Sequence, residues 1–439
     1  MSEVFFSFLT MFKDPTFSVS LIASILACIC LSLIGVIYYL RKTALIGEVI
    51  AHSAFPGLII AAFIGVYFNL NEKNISLLFI IGAIVTSYFS IVKLKLLQKK
   101  FKKSQDAALM VSISGFLGVG VLLSSIIQST HPVVYKDLTI FLYGRAATML
   151  DFHLYIYSVA TFLLIFFLVI NFKKIKIFEL DKTFATFLGI GRWLDKAILW
   201  ITLIIVILSL RTLGILLLSG MMTAPAIAAR FWVKKTSSMF VLSAIFGAIS
   251  AAVGYFLSLY IGGENLTLPT GPMITVTAAS IAFFSLMFGL KGGAILRAFR
   301  RWSFSVCCKE ENILKSLYKK EGKMTIYEVK EFLNVRIFGL LTVLCKARKK
   351  VYFTKDFSIC LKDEGKVLAE RIIRLHRLWE VYLFQVGFSK NRIHVFAEEI
   401  EHVLTEEMES YLMKKLNNPT HCPHKQKIPP KDEGGYVLS

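Results

Sequence analysis

The chain has 439 residues, 56% of them hydrophobic and 37 of them Phe, which is too apolar for one soluble globule, so most of it must face lipid. Its formal net charge of +21 collects in short Lys/Arg clusters between apolar runs and then spreads through the last third, which fits one-sided loops followed by a basic soluble domain. Seven cysteines, odd in number and irregularly spaced, give no disulfide framework and fit a reducing cytosol.

The first residues carry Phe5, Phe6 and Phe8 before Lys13 but no basic start and no small-residue cleavage site, so this segment is expected to be retained. Runs long enough to cross about 30 Å of hydrocarbon lie near residues 17–40, 44–69, 75–96, 107–127, 152–172, 196–212, 213–230, 237–261 and 271–290, about nine spans. Basic clusters follow alternate spans, at Arg41 and Lys42, 93–103, 173–176, 230–235 and 291–301. By the positive-inside rule these loops, and everything after Arg301, are cytoplasmic. Arg211, near the outer end of the sixth span, is expected to face protein and not lipid. Residues 138–149 are expected as a half-buried outer helix, and Leu268, Pro269, Thr270, Gly271 and Pro272 as an outer turn.

Glu48 and His52 stand one helical turn apart in the second run, so their side chains share a face. An ionisable group at the centre of a helix in lipid costs about 2.5 to 3.5 kcal/mol, and a chain accepts that cost when the group lines a pathway or holds an ion. Imidazole with carboxylate suits manganese, zinc or iron(II); the alternative is an interhelical pair that sets packing. Residues 181–196 embed Phe184, Phe187 and Leu188 among charges and break at Gly189 and Gly191. A short exposed helix of this kind fits a groove on a partner subunit, or else lies on lipid headgroups. The sequence contains no G-x-x-x-x-G-K-[ST] phosphate loop, so ATP hydrolysis is expected on another chain and not here.

The strings R-K-T-A-L-I-G-E-V-I-A-H-S-A-F-P-G (41–57), F-L-Y-G (141–144), R-T-L-G-I-L-L-L-S-G-M-M-T-A-P-A-I-A-A-R (211–230) and L-P-T-G-P (268–272) resemble the permease subunits of ABC importers for manganese, zinc and iron, over nearly the whole first 300 residues. The resemblance implies a permease homodimer with a second copy of the chain, separate ABC ATPase subunits and an extracytoplasmic metal-binding protein, in a bacterial cytoplasmic (inner) membrane. Glu48 falls where that family usually has Asp, His52 falls on its His, and Thr267 stands where an Asp often precedes the turn.

After Arg301 the apolar runs stop. Residues 310–320 read as a helix, followed by a turn at Gly322, a helix over 325–333 and another over 336–349; residues 351–361 alternate like a hairpin before a helix restarts near Glu364. This is a winged helix-turn-helix outline. Its third helix is apolar (Phe338, Leu340, Leu341, Val343, Leu344), with Arg336, Thr342, Lys346 and Arg348 as the DNA-facing groups. Further on, His394, Glu398, Glu401 and His402 form one stripe at helical spacing, and His376 and Glu380 a second pair one turn apart. Six nitrogen and oxygen ligands on neighbouring helices suit manganese or iron(II), with zinc and cobalt also accommodated. His421, Cys422 and His424 are read either as a further site or as an ordinary turn.

R-L-H-R-L-W-E (374–380), H-V-F-A-E-E-I-E-H-V-L (394–404) and H-C-P-H-K-Q-K-I-P (421–429) resemble the diphtheria-toxin-repressor and manganese-regulator family over residues 310–430. Asn312 and Lys315 occupy first-helix positions where that family often places ligands. The expectation is a mainly α chain: a polytopic permease at 1–301, a juxtamembrane linker at 302–309, a winged helix-turn-helix at 310–370, a helical metal-binding and dimerisation domain at 371–430 and a tail at 431–439. The expected function is divalent-metal import joined to metal-dependent repression at operator DNA, the metal being both substrate and co-repressor. The alternatives are a C-terminal domain that binds metal to gate transport without binding DNA, and a permease for an organic metal chelate. The short segment between the halves is expected to be nicked, releasing the DNA-binding part.

Overall fold

The computed structural model describes residues 15–69, 72–101, 104–144, 146, 149–215, 218–262, 268–320, 323–335, 337–403 and 405–430. The N-terminal segment, Thr267, Gly322, the expected DNA-facing Arg336 and the tail at 431–439 lie outside the described residues. The chain divides into two compact units, Met1–Leu296 and Arg297–Ser439.

The first unit is built of α1 (Pro15–Leu40), α2 (Ile46–Tyr67), α3 (Glu72–Lys100), α4 (Gln105–Thr130), α5 (Pro132–Tyr143), α6 (Asp151–Leu180), α7 (Lys182–Phe187), α8 (Gly191–Leu213), α9 (Leu218–Trp232), α10 (Thr236–Gly262) and α11 (Thr270–Phe288). Eight of these, all but α5, α7 and α9, are long and apolar enough to cross a membrane. The run expected as a ninth span at 213–230 is the exception. Gly214, at φ 80, ends α8, and α9 has 15 described residues with Pro225 inside it; at 1.5 Å per residue that is roughly 22 Å, short of a bilayer core. It is nonetheless core, with Met221, Met222, Ala226 and Ala229 buried. The outer helix expected at 138–149 lies earlier, over α5, because Pro132 pre-sets its first turn and Gly144 at φ 73 stops it.

α1 and α2 form the centre, burying Leu31, Ile34 and Ile37 with Ile50, Leu58 and Ile59, while α6 turns Phe162, Phe166, Val169 and Ile170 outward as a lipid-facing helix does. Lipid supplies little hydrophobic drive between helices, so close contact depends on small residues. Gly57 of α2 and Gly82 of α3 supply it: a methyl on either would lie 2.2 Å or 2.5 Å from the other's carbonyl oxygen.

All but the first three residues of α12 (Ala294–Lys319) belong to the second unit, which continues through β1 (Lys323–Thr325), α13 (Ile326–Leu333), α14 (Ile337–Ala347), β2 (Val351–Phe353), β3 (Ser358–Leu361), α15 (Asp363–Gln385), α16 (Lys390–Ile400), a 3-10 turn (Glu401–Val403) and α17 (Glu406–Lys415). The strands form one antiparallel sheet in the order β1-β3-β2. Thr325 and Glu328 make a reciprocal capping box at the start of α13, and Asn334 ends it in the left-handed conformation. Ile313, Leu314, Leu317, Val329, Val343, Ala347 and Ile359 form a core beneath this sheet, so helix, helix, helix and hairpin follow the outline read from the sequence.

Residues 302–309, expected as a linker, are helical within α12. Nothing between Ala294 and Lys320 breaks a helix, since the segment has neither Gly nor Pro. The stretch over which release was expected is thus mostly helical, with an irregular turn at 289–293 at its start.

Candidate transport pathway and metal centre

His52 is buried in α2, with its Nε2 3.8 Å from Glu48 Oε1. Its Nδ1 is buried with no hydrogen-bond partner among the described residues, an unsatisfied lone pair or donor inside the unit. Pro56 stands four residues on within the same helix, so the His52 carbonyl has no amide N–H to accept from. One turn of α2 thus offers carboxylate, imidazole and a freed carbonyl together. Arg211 is half-buried in the unit, as expected for an arginine that faces protein.

Asp181 caps α7 by accepting from the amides of Thr183 (2.8 Å) and Phe184 (3.0 Å). Ala185 is buried, and Phe184, Phe187 and Leu188 are exposed, Phe187 at 89%. Arg41 fastens both flanks of this helix: its Nε donates to Glu179 Oε1 at 2.8 Å and its Nη1 to Asp195 Oδ1 at 2.9 Å. The guanidinium also stacks over Phe178. The sequence showed Arg41 only as part of a basic cluster.

Three of the motif strings converge on one backbone junction. Ile215 N donates to Phe141 O at 2.9 Å. A methyl on Gly144 would lie 2.4 Å from the Leu213 carbonyl carbon, one on Gly214 2.5 Å from Leu142 O, and one on Gly271 3.0 Å from Leu213 O. Gly144 and Gly214 also hold positive φ, so glycine is required there twice over.

In the second unit, α15 and α16 bring His376, Glu380 and His394 together. His376 Nε2 lies 3.3 Å from Glu380 Oε1, and His394 Nδ1 lies 2.9 Å from His376 Nε2 and 3.0 Å from Glu380 Oε1. His424 Nδ1 approaches the same Glu380 oxygen at 3.3 Å, and the buried Cys422 hydrogen-bonds Glu380. The ligand atoms of His376, Glu380 and His394, and those of Glu380, Cys422 and His424, each fall within 4.8 Å of one another. The H-C-P-H loop is held by Cys422 N donating to Gln426 O at 2.9 Å and Lys425 N to Cys422 O at 2.8 Å. Burial would raise the Glu380 carboxyl, but hydrogen bonds from His376, His394 and Cys422 hold it far below the usual carboxylate range, so it is a ready anionic ligand. Nitrogen, oxygen and sulfur donors around one carboxylate fit a divalent transition metal.

The six ligands expected from spacing, the four-residue stripe 394–402 and the pair His376 and Glu380, do not converge on one point. Glu398 is exposed, with an oxygen 3.6 Å from His394 Nε2. Glu401 and His402 lie on the 3-10 turn, where Glu401 faces the other nitrogen of His376, Nδ1 to Oε2 at 2.5 Å. Lys315 Nζ donates to both Glu401 oxygens, at 2.8 and 2.9 Å, and His402 Nδ1 meets Glu311 Oε2 at 2.5 Å. Burial would lower the His376 pKa, but Glu380 and Glu401 together raise it. Of the three residues read as a further site, Cys422 and His424 join Glu380, while His421 is exposed and pairs with Thr420.

Lys346 on α14 and Arg348 in the turn just after it are exposed, with Lys346 Nζ 3.9 Å from Glu310. Thr342 is half-buried and donates to Gly339 O at 2.8 Å. Ile337, Phe338 and Leu341 are also exposed, and Ile337 and Leu341 border an open cavity of about 710 Å³ that reaches Tyr352 and Phe353.

Residues 13–289 match the family model of the ABC 3 transport family. The chain belongs to the ABC 3 transport family. Residues 362–430 match a second model, the iron dependent repressor, metal binding and dimerisation domain. A probable metal transport system membrane protein of Chlamydia trachomatis is 31% identical over 445 residues, covering 95% of this chain and 97% of that protein. The manganese transport system membrane protein MntC of Bacillus subtilis is 26% identical, over 79% of this chain and 75% of its own. The zinc transport system membrane protein TroC of Treponema pallidum is 26% identical, over 68% and 98%. PsaBC from Streptococcus pneumoniae, solved in complex with Fab, shares the fold with a TM-score of 0.55 at 23% identity, over 65% of this chain and 96% of that one. This member of the ABC 3 family is thus a multi-pass membrane protein with a transport role, extended by a repressor-type metal-binding domain.

Proposed function

We propose that the chain is the permease of an importer for a divalent transition metal, manganese, iron(II) or zinc, and that its second unit is a metal-responsive regulator of transcription. The observation that carries the first half is the buried Glu48–His52 pair, with an unpartnered imidazole nitrogen, in a fold unit of the ABC 3 family. The manganese and zinc named for the Bacillus and Treponema relatives and the His/Glu/Cys cluster of the second unit point to one class of ion. A second copy of the chain, a separate ATPase and an extracytoplasmic metal-binding protein complete the importer. It lies in the bacterial inner membrane with the second unit in the cytosol.

His376, Glu380, His394, Cys422 and His424 would hold the regulatory metal, which when bound ties α15, α16 and the H-C-P-H loop together. The second unit then reads DNA as a dimeric winged helix through α14, with Thr342, Lys346 and Arg348, and Arg336 ahead of them, facing the operator. Uptake tests the transport half: cells lacking their own importer and expressing this chain with its ATPase and binding protein should accumulate manganese, with zinc and iron(II) competing. Accumulation equal to that of cells without the chain contradicts it.

The ATPase contact has its own test. Phe184→Asp with Phe187→Asp should release the ATPase during purification, because two charges cannot enter an apolar groove, while the permease keeps its melting temperature. Co-purification at the wild-type ratio would place the coupling surface elsewhere.

A further inference from the structure

Among the described residues, the second unit contains two acidic and imidazole pockets that share His376, and one of them already holds a cation. Lys315 lies on α12 with its side chain only 7% exposed. Its ammonium is 2.8 and 2.9 Å from the two oxygens of the fully buried Glu401 and 3.3 Å from His376 Nδ1. Glu311, one turn earlier on the same helix, takes His402. Glu401, His402, Glu311 and the Nδ1 face of His376 are a donor set that would suit a divalent ion, but the space between them is filled by an ammonium. A protonated amine has no lone pair to offer a metal, and an ion placed there would meet its charge at contact distance.

We infer that Lys315 is a built-in cation that closes the Glu401–His402–Glu311 pocket to metal, leaving the Glu380 pocket as the metal-responsive one. Glu401 then acts through His376 as a positioning residue. An ionised carboxylate only accepts hydrogen bonds, so its 2.5 Å contact keeps a proton on Nδ1, and Nε2, which faces Glu380 and His394, is the nitrogen a metal would take in exchange for its proton. The link between α12 and the turn after α16 is in this way present without metal, and only the Glu380 pocket responds to it. The inference rests on reading the Glu380 cluster as a metal pocket.

The test uses the full chain in detergent, equilibrated with manganese, with bound metal counted by mass spectrometry and melting followed with and without the ion. Lys315→Met and Lys315→Glu should each bind one more manganese per chain than wild type, melt lower without metal and recover with it; Glu380→Gln should bind one fewer. No gain in either Lys315 variant overturns the inference, and so does a variant that manganese fails to refold. If Glu380→Gln also retains the wild-type count, the Glu380 reading fails with it; if that variant loses its ion, that reading stands alone.

Discussion

His52→Ala is expected to reduce manganese uptake by about 10- to 100-fold at least, the scale on which loss of a residue that supports a metal site acts, while membrane insertion and the melting temperature of the permease stay close to wild type. The imidazole is buried beside Glu48, its Nδ1 has no partner among the described residues, and Pro56 frees the carbonyl of the same residue. A packing role would leave both ring nitrogens satisfied, since an unpaired polar group away from water costs about 1 to 3 kcal/mol. His52→Ala removes that orphaned nitrogen, so stability has little to lose and transport has much. Uptake within twofold of wild type would reduce the pair to helix packing. Measuring uptake at several manganese concentrations separates a weakened site, recovered at high metal, from a blocked one.

Glu401→Ala should destabilise the second unit by about 3 to 5 kcal/mol, the cost of leaving one partner of a buried ion pair uncompensated. Lys315 and Glu401 are both buried and bonded to each other at 2.8 and 2.9 Å, and His376 Nδ1 loses its acceptor in the same substitution. Adding Lys315→Met to Glu401→Ala should recover most of that loss, because the stranded charge leaves with it. Glu398→Ala, three residues earlier but exposed, should change stability by no more than about 0.5 kcal/mol. Chemical denaturation of the four proteins measures this. Equal effects of Glu398→Ala and Glu401→Ala would mean that Glu401 is not buried against Lys315.

The contrast between Glu398 and Glu401 also shows how far sequence reading reaches. Helical spacing put His394, Glu398, Glu401 and His402 on one stripe, and α16 does carry the first two. The helix ends at Ile400 and the chain tightens into a 3-10 turn, which turns Glu401 and His402 toward α12, away from Glu380. A change of helical pitch over three residues leaves no mark in a periodic pattern. Cys422 and His424 reach Glu380 from more than 40 positions away through a loop closed by its own backbone bonds, a contact that local spacing cannot register. The membrane spans were legible because lipid demands long apolar runs whatever the packing. The exception, 213–230, failed because Gly214 and Pro225 act on the backbone while leaving hydropathy high. Lys315 was visible as a departure from a ligand pattern, but the charge pairing that gives it a role exists only once α12 and the turn meet.

The central claim is that a permease of the ABC 3 family carries a regulator that responds to metal. Its most direct test is the electrophoretic mobility of the DNA upstream of its own gene with the purified full chain, in a chelator and then with manganese, iron(II) or zinc. The account predicts a retarded complex that forms with metal, disappears with chelator and is lost in Glu380→Gln. Unchanged DNA mobility with every metal, from a chain that binds the ion at Glu380, would contradict it and assign the second unit to gating transport instead.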